Sequence, residues 1–450
     1  MPEETVTDLL GGRNVNITVE REKTLLVDGP ASVTLISGKV EVFGSTLRNM
    51  SKVVIRDGKR MPFTILETAT FAVSLGENAC VEEVYGSTIP PSWYKAYEEL
   101  LAFQSKPVTA LVLGATDSGK TSFCTYLVNK LLSEGRKIAI LDGDLGQSDI
   151  GPPCTVAYAF VSKPITDLFN LEVDNAFFVG VTSPSKAIDK VVEGLTLLKE
   201  EIFRSNPDFV VVNTDGWVEG EDAVKYKVQL VEKINPDAIF CIQQDEKMTL
   251  LLNMLKNFKN LVIDSPPTIK QRSREKRRSL RELGYIKYLK NARVKCIPLG
   301  WLKIENGGYA GLNKNSGDPK REKEICELLG IKPLHIAELK DKICIVFEGE
   351  SWVDHEKLRK VEEFTGKKAT VTFRGDEEGL LTALHNDEKK FLGIGILREI
   401  DYRKKVMKIY TPVSSGISTV IIGKVRLDRS LKEIPQTSIE EKQQIPLFSS

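Results

Sequence analysis

The sequence predicts an α/β chain. A parallel sheet with helices on both faces is flanked by a β-rich N-terminal domain and a mixed, strand-rich C-terminal domain. Three observations carry this expectation. From residue 107 short apolar strands alternate with longer helical stretches, which is the pattern of a parallel sheet buried on both faces. The segment GATDSGKT at 114–121 follows the strand ALVLG and precedes a helical stretch, the setting of a phosphate-binding loop. On either side, strand-like runs broken by glycine-containing turns replace the alternation.

The elements follow in order. ITVEREKTLLVDG, SVTLISGKVEVFG and FAVSLGENACVEEVYG read as strands within the first 88 residues, and Ile89-Pro90-Pro91 breaks the pattern as a linker. VTALVLG then leads into a helix over 119–133, and KIAILDGD is the next strand. AFFVG precedes a helix over 186–204, FVVVNTDGW one over 221–234, and AIFCIQ one over 245–258, before the strand NLVIDS. Beyond residue 298, ICIVFEG, ATVTFRG, FLGIGILREIDY, KVMKIYTP and STVIIGKVRL read as strands of a further domain. The expected domains are 1–90, 91–298 and 299–450, in keeping with roughly 100–200 residues per domain. The tail IEEKQQIPLFSS is expected to be poorly ordered.

Charge and composition exclude some classes. Lys+Arg is 63 and Asp+Glu is 62, so the chain is no polycation, although a balanced total can hide a local basic patch. Seven scattered cysteines form no C-x-x-C pair, which argues against a zinc site or a disulfide framework and for a reducing, cytoplasmic setting. No run of 18 apolar residues occurs, so no membrane helix is expected. The acidic start MPEETVTDLL lacks the apolar core of a signal peptide. The three histidines, His335, His355 and His385, lie in the last third of the chain, far from the phosphate-loop motif.

The motif fits G-x-x-x-x-G-K-[ST], which makes the central region a P-loop NTPase sheet that binds a nucleoside triphosphate. Gly114, Ala115, Thr116, Asp117, Ser118 and Gly119 form a loop whose N–H groups turn toward the phosphates. Lys120 adds a cation on the β/γ oxygens, Thr121 offers a hydroxyl to Mg²⁺, and Ser122 continues the helix whose positive end faces the anion. ILDGDLGQ places Asp142 and Asp144 at a strand's carboxyl end, where ligands bind in open α/β sheets. A carboxylate there can serve a metal or accept a hydroxyl proton, or act as a turn cap. Gln147 is a candidate to orient a polar group. VVVNTDGW ends another strand and brings Thr214 and Trp217 forward, an aromatic on which a base or sugar can stack. The stretch 270–290 carries nine basic residues against Glu275 and Glu282. Its arginines suit a transferring phosphoryl group or nucleic-acid phosphates.

GATDSGKT, LDGDLGQ, FVGVTSP, NTDGWVEG and RSREKRRSLRELGYIKYL, in that order, resemble the polynucleotide 5′-hydroxyl-kinase family, and most of all its archaeal polyribonucleotide 5′-hydroxyl-kinases. The similarity covers most of the chain, with GKVEVFGSTL resembling part of the family's N-terminal domain. The resemblance implies that residues 114–122 bind ATP and that Asp144, with Thr121, serves Mg²⁺ or another divalent cation. It makes Lys120, Asp144, Arg272 and Arg277 the catalytic candidates, the two arginines matching a lid. Thr214 and Trp217, in the T-x-G-W pattern, would clasp the terminal nucleotide, with Gln147, Arg274 and Arg278 as further substrate contacts. Glu20 is a candidate over the ATP base. The implied reaction is ATP-dependent phosphorylation of 5′-OH RNA, and of DNA, with protein partners reached through the C-terminal domain. Two other readings remain open: a non-catalytic ATP-binding scaffold in an RNA-processing complex, and a nucleotide switch. QDEK after AIFCIQ does not match the guanine-reading N-K-x-D that a GTPase switch needs.

Overall fold

The computed structural model describes residues 14–244, 246–305, 309, 312, 319–349 and 354–435. The readings of the acidic start and of the tail lie outside these residues. The chain divides into two compact units, one made of Met1–Phe177 and Ser183–Arg281, the other of Phe178–Thr182 and Glu282–Ser450.

The first unit opens with seven strands: β1 (Asn14–Val19), β2 (Lys23–Asp28), β3 (Ala31–Val42), β4 (Ser45–Thr46), β5 (Lys52–Ile55), β6 (Arg60–Leu75) and β7 (Val81–Tyr85). They form one sheet whose spine is β6, which pairs antiparallel with β1, β2 and β3. Its length lets one strand serve all three partners. Ala69, Phe71, Val73 and Leu75 are buried at every second position, the two-residue period of a strand with one core face.

The second sheet of this unit carries the site. Its elements are α1 (Pro91–Leu101), β8 (Val108–Gly114), α2 (Lys120–Ser133), β9 (Ile138–Gly143), β10 (Thr155–Val161), β11 (Asn175–Phe178), α3 (Ile188–Arg204), β12 (Phe209–Thr214), α4 (Glu221–Ile234), β13 (Ala238–Gln243), α5 (Thr249–Met254), β14 (Asn260–Asp264) and α6 (Arg274–Tyr288). The strand order is β11-β10-β9-β12-β8-β13-β14. The five strands from β9 to β14 are mutually parallel. β10 is a departure from the expected all-parallel sheet, because it runs antiparallel to β9. After Thr155 its sequence VAYAFV is an unbroken hydrophobic run, so its direction leaves no trace in the pattern. The helix expected over 245–258 shortens to Thr249–Met254.

Helices cover both faces of this sheet. Asn213 of β12 lies beside Asp142 of β9 and accepts from Cys124 of α2 at 3.8 Å. A Cβ at the next β9 residue, Gly143, would lie 3.0 Å from Leu195 of α3. Neighbouring strand residues point to opposite faces, so α2 and α3 sit on opposite sides.

In the second unit, β15 (Arg293–Pro298), β16 (Lys303–Glu305), β20 (Leu380–His385), β21 (Phe391–Asp401), β22 (Val406–Thr411) and β23 (Thr419–Arg426) form a six-stranded sheet. A three-stranded sheet of β17 (His335–Glu338), β18 (Lys342–Phe347) and β19 (Lys368–Phe373) packs with α7 (Pro319–Leu329) and α8 (His355–Thr365). Residues 293–298, expected in the central domain, pair with β22, and the division between units falls inside α6. Among the described residues no helix is long and apolar enough to cross a membrane.

Candidate active site

Parallel strands end at one edge, so the loops after β8, β9, β12, β13 and β14 converge there, where ligands bind in such sheets. The phosphate loop leaves β8, whose seven residues are all buried. Gly119 has φ 98° and caps α2, a backbone conformation that strains any residue with a Cβ. The loop is held from its neighbours. The Gln244 amide donates to the Asp117 carbonyl at 3.2 Å and to Ser265 Oγ at 3.0 Å. Ser265 Oγ donates to the Ser118 carbonyl at 2.9 Å. Lys120 Nζ donates to the carbonyls of Gly114 (3.0 Å) and Ala115 (2.7 Å). Burial lowers its pKa, while Asp144 opposes that shift. Thr121 and Ser122 are half-buried in the first turn of α2, and Thr116 is exposed. Ser118 is buried, and its hydroxyl has no partner among the described residues.

The two carboxylates after β9 separate in role. Asp142 is fully buried and accepts from the backbone N–H groups of Asp144, Asp149 and Ile150 and from Asn213 Nδ2, at 2.9–3.3 Å. Desolvation, with Asp144 and Asp149 nearby, pushes its pKa up to about 7. It is the cap of the 144–150 loop. Asp144 is half-buried and stands at the strand end. Its Oδ1 accepts from the N–H groups of Gly146 and Gln147, both at 3.0 Å, which leaves Oδ2 outside these bonds. Burial raises its pKa and Lys120 draws it down. Gln147 Nε2 donates to the Arg277 carbonyl at 3.0 Å, so it braces the basic helix.

Thr214 ends β12 beside the phosphate loop's own strand. Its hydroxyl donates to the Val112 carbonyl at 2.7 Å and the residue is 1% exposed, so it stitches β12 to β8. Trp217 is half-buried and stacks on Tyr226, with ring centroids 5.8 Å apart. Sequence reasoning missed what holds this loop. Asp215 accepts from Lys227 Nζ (2.9 Å), Tyr226 Oη (2.7 Å) and its own loop at Trp217 N (2.9 Å). Lys227 is 0% exposed, and removing one partner of a buried pair strands the other charge. Lys227→Met is expected to cost about 3–5 kcal/mol in denaturant unfolding. Gly216 abuts Thr116, whose backbone N would lie 2.6 Å from a Cβ placed there, so the loop leans directly on the phosphate loop.

The basic helix delivers its arginines to that loop as well. Arg272 Nη1 and Arg277 Nη1 each donate to the Asp117 carboxylate at 3.2 Å. Arg274 is exposed, Arg278 is half-buried, and Arg281 donates to the Gly146 carbonyl at 3.2 Å. The N-terminal sheet anchors the root of this lid. Arg60 donates to the Thr268 carbonyl at 3.3 Å, Arg272 Nε donates to the Gly58 carbonyl at 2.8 Å, and Lys276 pairs with Asp57. Asp28 binds Arg60, Cys80 and Lys270. Burial works against its charge, but these donors prevail and hold its pKa at about 2. A carboxylate lowered in the fold contributes stability above its ordinary pKa and loses it as pH falls toward the folded value. The melting-temperature gap between wild type and Asp28→Asn is therefore expected to narrow from pH 6 to pH 3. Glu20 sits on the exposed turn before β2, 3.7 Å from Lys23.

Residues 114–291 match the family model described as the P-loop of mRNA cleavage and polyadenylation factor CLP1. A polyribonucleotide 5′-hydroxyl-kinase of Pyrococcus furiosus is 28% identical over 352 residues, 77% of this chain and 95% of that protein. One of Methanocaldococcus jannaschii is 28% identical over 368 residues, 80% of this chain and 97% of that protein. The polyribonucleotide 5′-hydroxyl-kinase Clp1 of Xenopus tropicalis is 24% identical over 320 residues, 64% of this chain and 70% of that protein. A solved Clp1p–Pcf11p complex shares the fold, with a TM-score of 0.65 at 12% identity over 93% of this chain and 99% of that one. The loop, the two strand-end motifs and the basic helix all fall within the matched region, and over most of its length the chain is similar to polyribonucleotide 5′-hydroxyl-kinases.

Proposed function

We propose that this chain transfers the γ-phosphate of ATP to the 5′-hydroxyl of RNA, and of DNA, in RNA processing or repair. The observation that carries the reading is the convergence on one sheet edge of Lys120, Asp144 and, through Asp117, both lid arginines. The hydroxyl oxygen attacks the γ-phosphorus, the bond to the β–γ bridging oxygen breaks, and ADP leaves. The proton passes to Asp144, whose raised pKa suits a carboxylate acting as base. Lys120, Arg272 and Arg277 offset the charge on the transferring group. Trp217 supplies a ring against which the terminal nucleotide stacks. Gln147 supports the lid, and Arg274 and Arg278 are assigned to the nucleic-acid phosphates.

The residues fit a hard divalent cation. Thr121 and Asp144 offer oxygen donors only, and among the described residues no cluster of three metal-ligating side chains occurs. Mg²⁺ is usually held by one or two protein oxygens together with substrate phosphates. Bound there, it would neutralise phosphate charge.

The C-terminal unit holds none of these residues, and we assign protein partners to it. Clp1p, a relative by fold, is solved with Pcf11p. The reading includes a cytoplasmic setting, in keeping with the free cysteines. The test is incubation with γ-labelled ATP, Mg²⁺ and matched 5′-OH RNA and DNA oligonucleotides. Label on the 5′ end is expected, with the RNA-to-DNA ratio setting the substrate class. Tight ATP binding without label would replace the kinase by an ATP-binding scaffold.

A further inference from the structure

The phosphate loop contains one carboxylate, Asp117. Placed where a polyanion is to bind, it opposes its own loop, because like charges a few ångströms apart repel. Its surroundings indicate what it does there. Its side chain is 3% exposed. Oδ2 accepts from the Arg272 backbone N–H at 2.9 Å and from Arg277 Nη1 at 3.2 Å, and Oδ1 accepts from Arg272 Nη1 at 3.2 Å. Its backbone has φ 55°, and its carbonyl is fixed by Gln244, so the carboxylate cannot drift from the loop. The two arginines are held unequally. Arg272 is also bound through Nε to the Gly58 carbonyl. Arg277 has Asp117 as its ion-pair partner among the described residues.

We infer that Asp117 is the positioning residue of the lid. Its carboxylate is an internal anion that aims Arg272 and Arg277 at the phosphate loop, and Arg277 exchanges it for phosphate oxygens when a nucleoside triphosphate binds. Arg272, anchored on Gly58, remains the fixed member of the pair. A guanidinium binds carboxylate and phosphate with the same fork of donors, so the exchange needs only a small movement of one side chain. It also sets the nucleotide affinity, because the Arg277–phosphate contact is gained only as the Arg277–Asp117 contact is given up. The inference rests on the proposed kinase only for the identity of the nucleotide as ATP.

Asp117→Asn tests it. Asparagine tolerates the left-handed backbone and removes the charge. Without nucleotide, trypsin is expected to cut after Arg277 roughly tenfold faster in the variant, because cleavage follows local opening. Saturating Mg-ATP is expected to bring both proteins to the same slow rate. In equilibrium titration with Mg-ATP, the variant is expected to bind roughly fivefold more tightly, with the gain falling to under about twofold in an Arg277→Gln background. An equal gain in both backgrounds would mean simple removal of a repelling charge and would overturn the inference. So would unchanged cleavage. If Asp117→Asn does not fold, Arg277→Gln alone decides the matter, since it should speed cleavage after Arg274 and Arg278, and no change there overturns the inference. None of these readouts requires phosphate transfer. Failure of the kinase reading would appear as absent label with the exchange intact, and failure of the inference as label with the exchange absent.

Discussion

Lys120→Ala is expected to lower phosphate transfer by two to three decades while the protein remains folded. Removing one preorganised cation from a transferring phosphoryl group costs a few kcal/mol in the barrier, roughly that loss in rate. The structure adds the reason that the fold should survive. The Lys120 ammonium is held on the Gly114 and Ala115 carbonyls inside the loop, and burial holds its pKa below the usual lysine range. A basic group whose pKa is lowered by folding is carried charged at a cost below that folded value. Its removal is expected to leave the melting temperature at pH 7 no lower than that of the wild type. Transfer measured by label and unfolding measured by calorimetry on the same preparation check the two halves. A fall in both would mean that the lysine mainly holds the loop together.

How far this site could be read from the sequence depended on how local each interaction is. The phosphate loop was legible because its glycines and its lysine lie within eight residues and serve one backbone path. The strands β8, β9, β12, β13 and β14 were legible from unbroken apolar runs, but β10 was not, since a buried antiparallel strand has the same composition. Asp142 and Asp144 were both visible as strand-end carboxylates. Their division into cap and open acid rests on Asp149, Ile150 and Asn213, which no spacing rule connects to them. Thr214 was visible in its strand-end motif, but the bond from its hydroxyl to the Val112 carbonyl depends on the register with β8. The Asp215–Lys227 pair spans a loop and half a helix, so only the fold reveals it. The family resemblance supplied Arg272 and Arg277 among the five arginines of 270–290. The geometry adds what the resemblance did not contain, namely that both arginines meet at Asp117.

Asp144→Asn is expected to have an effect as large as Lys120→Ala, and the two losses should not add. Asparagine keeps the shape of the side chain and an oxygen for the N–H groups of Gly146 and Gln147, so the loop after β9 should hold. It cannot take a proton from the attacking hydroxyl, which costs roughly two to four decades for general-base assistance. Asp144 and Lys120 also set each other's charge. Burial pushes the Asp144 pKa up and Lys120 draws it down, while Asp144 opposes the lowering of the lysine pKa. In Lys120→Ala the carboxylate loses the cation that keeps it ionised and is partly disabled as well. The double variant should therefore transfer phosphate within about tenfold of the slower single variant, as for residues that act as a unit. The pH–rate profile gives a second check. Lys120→Ala should move its acid limb to higher pH, because the base now titrates higher. Losses that simply multiply, with an unmoved acid limb, would separate the two residues and leave Asp144 with a role other than that of the base.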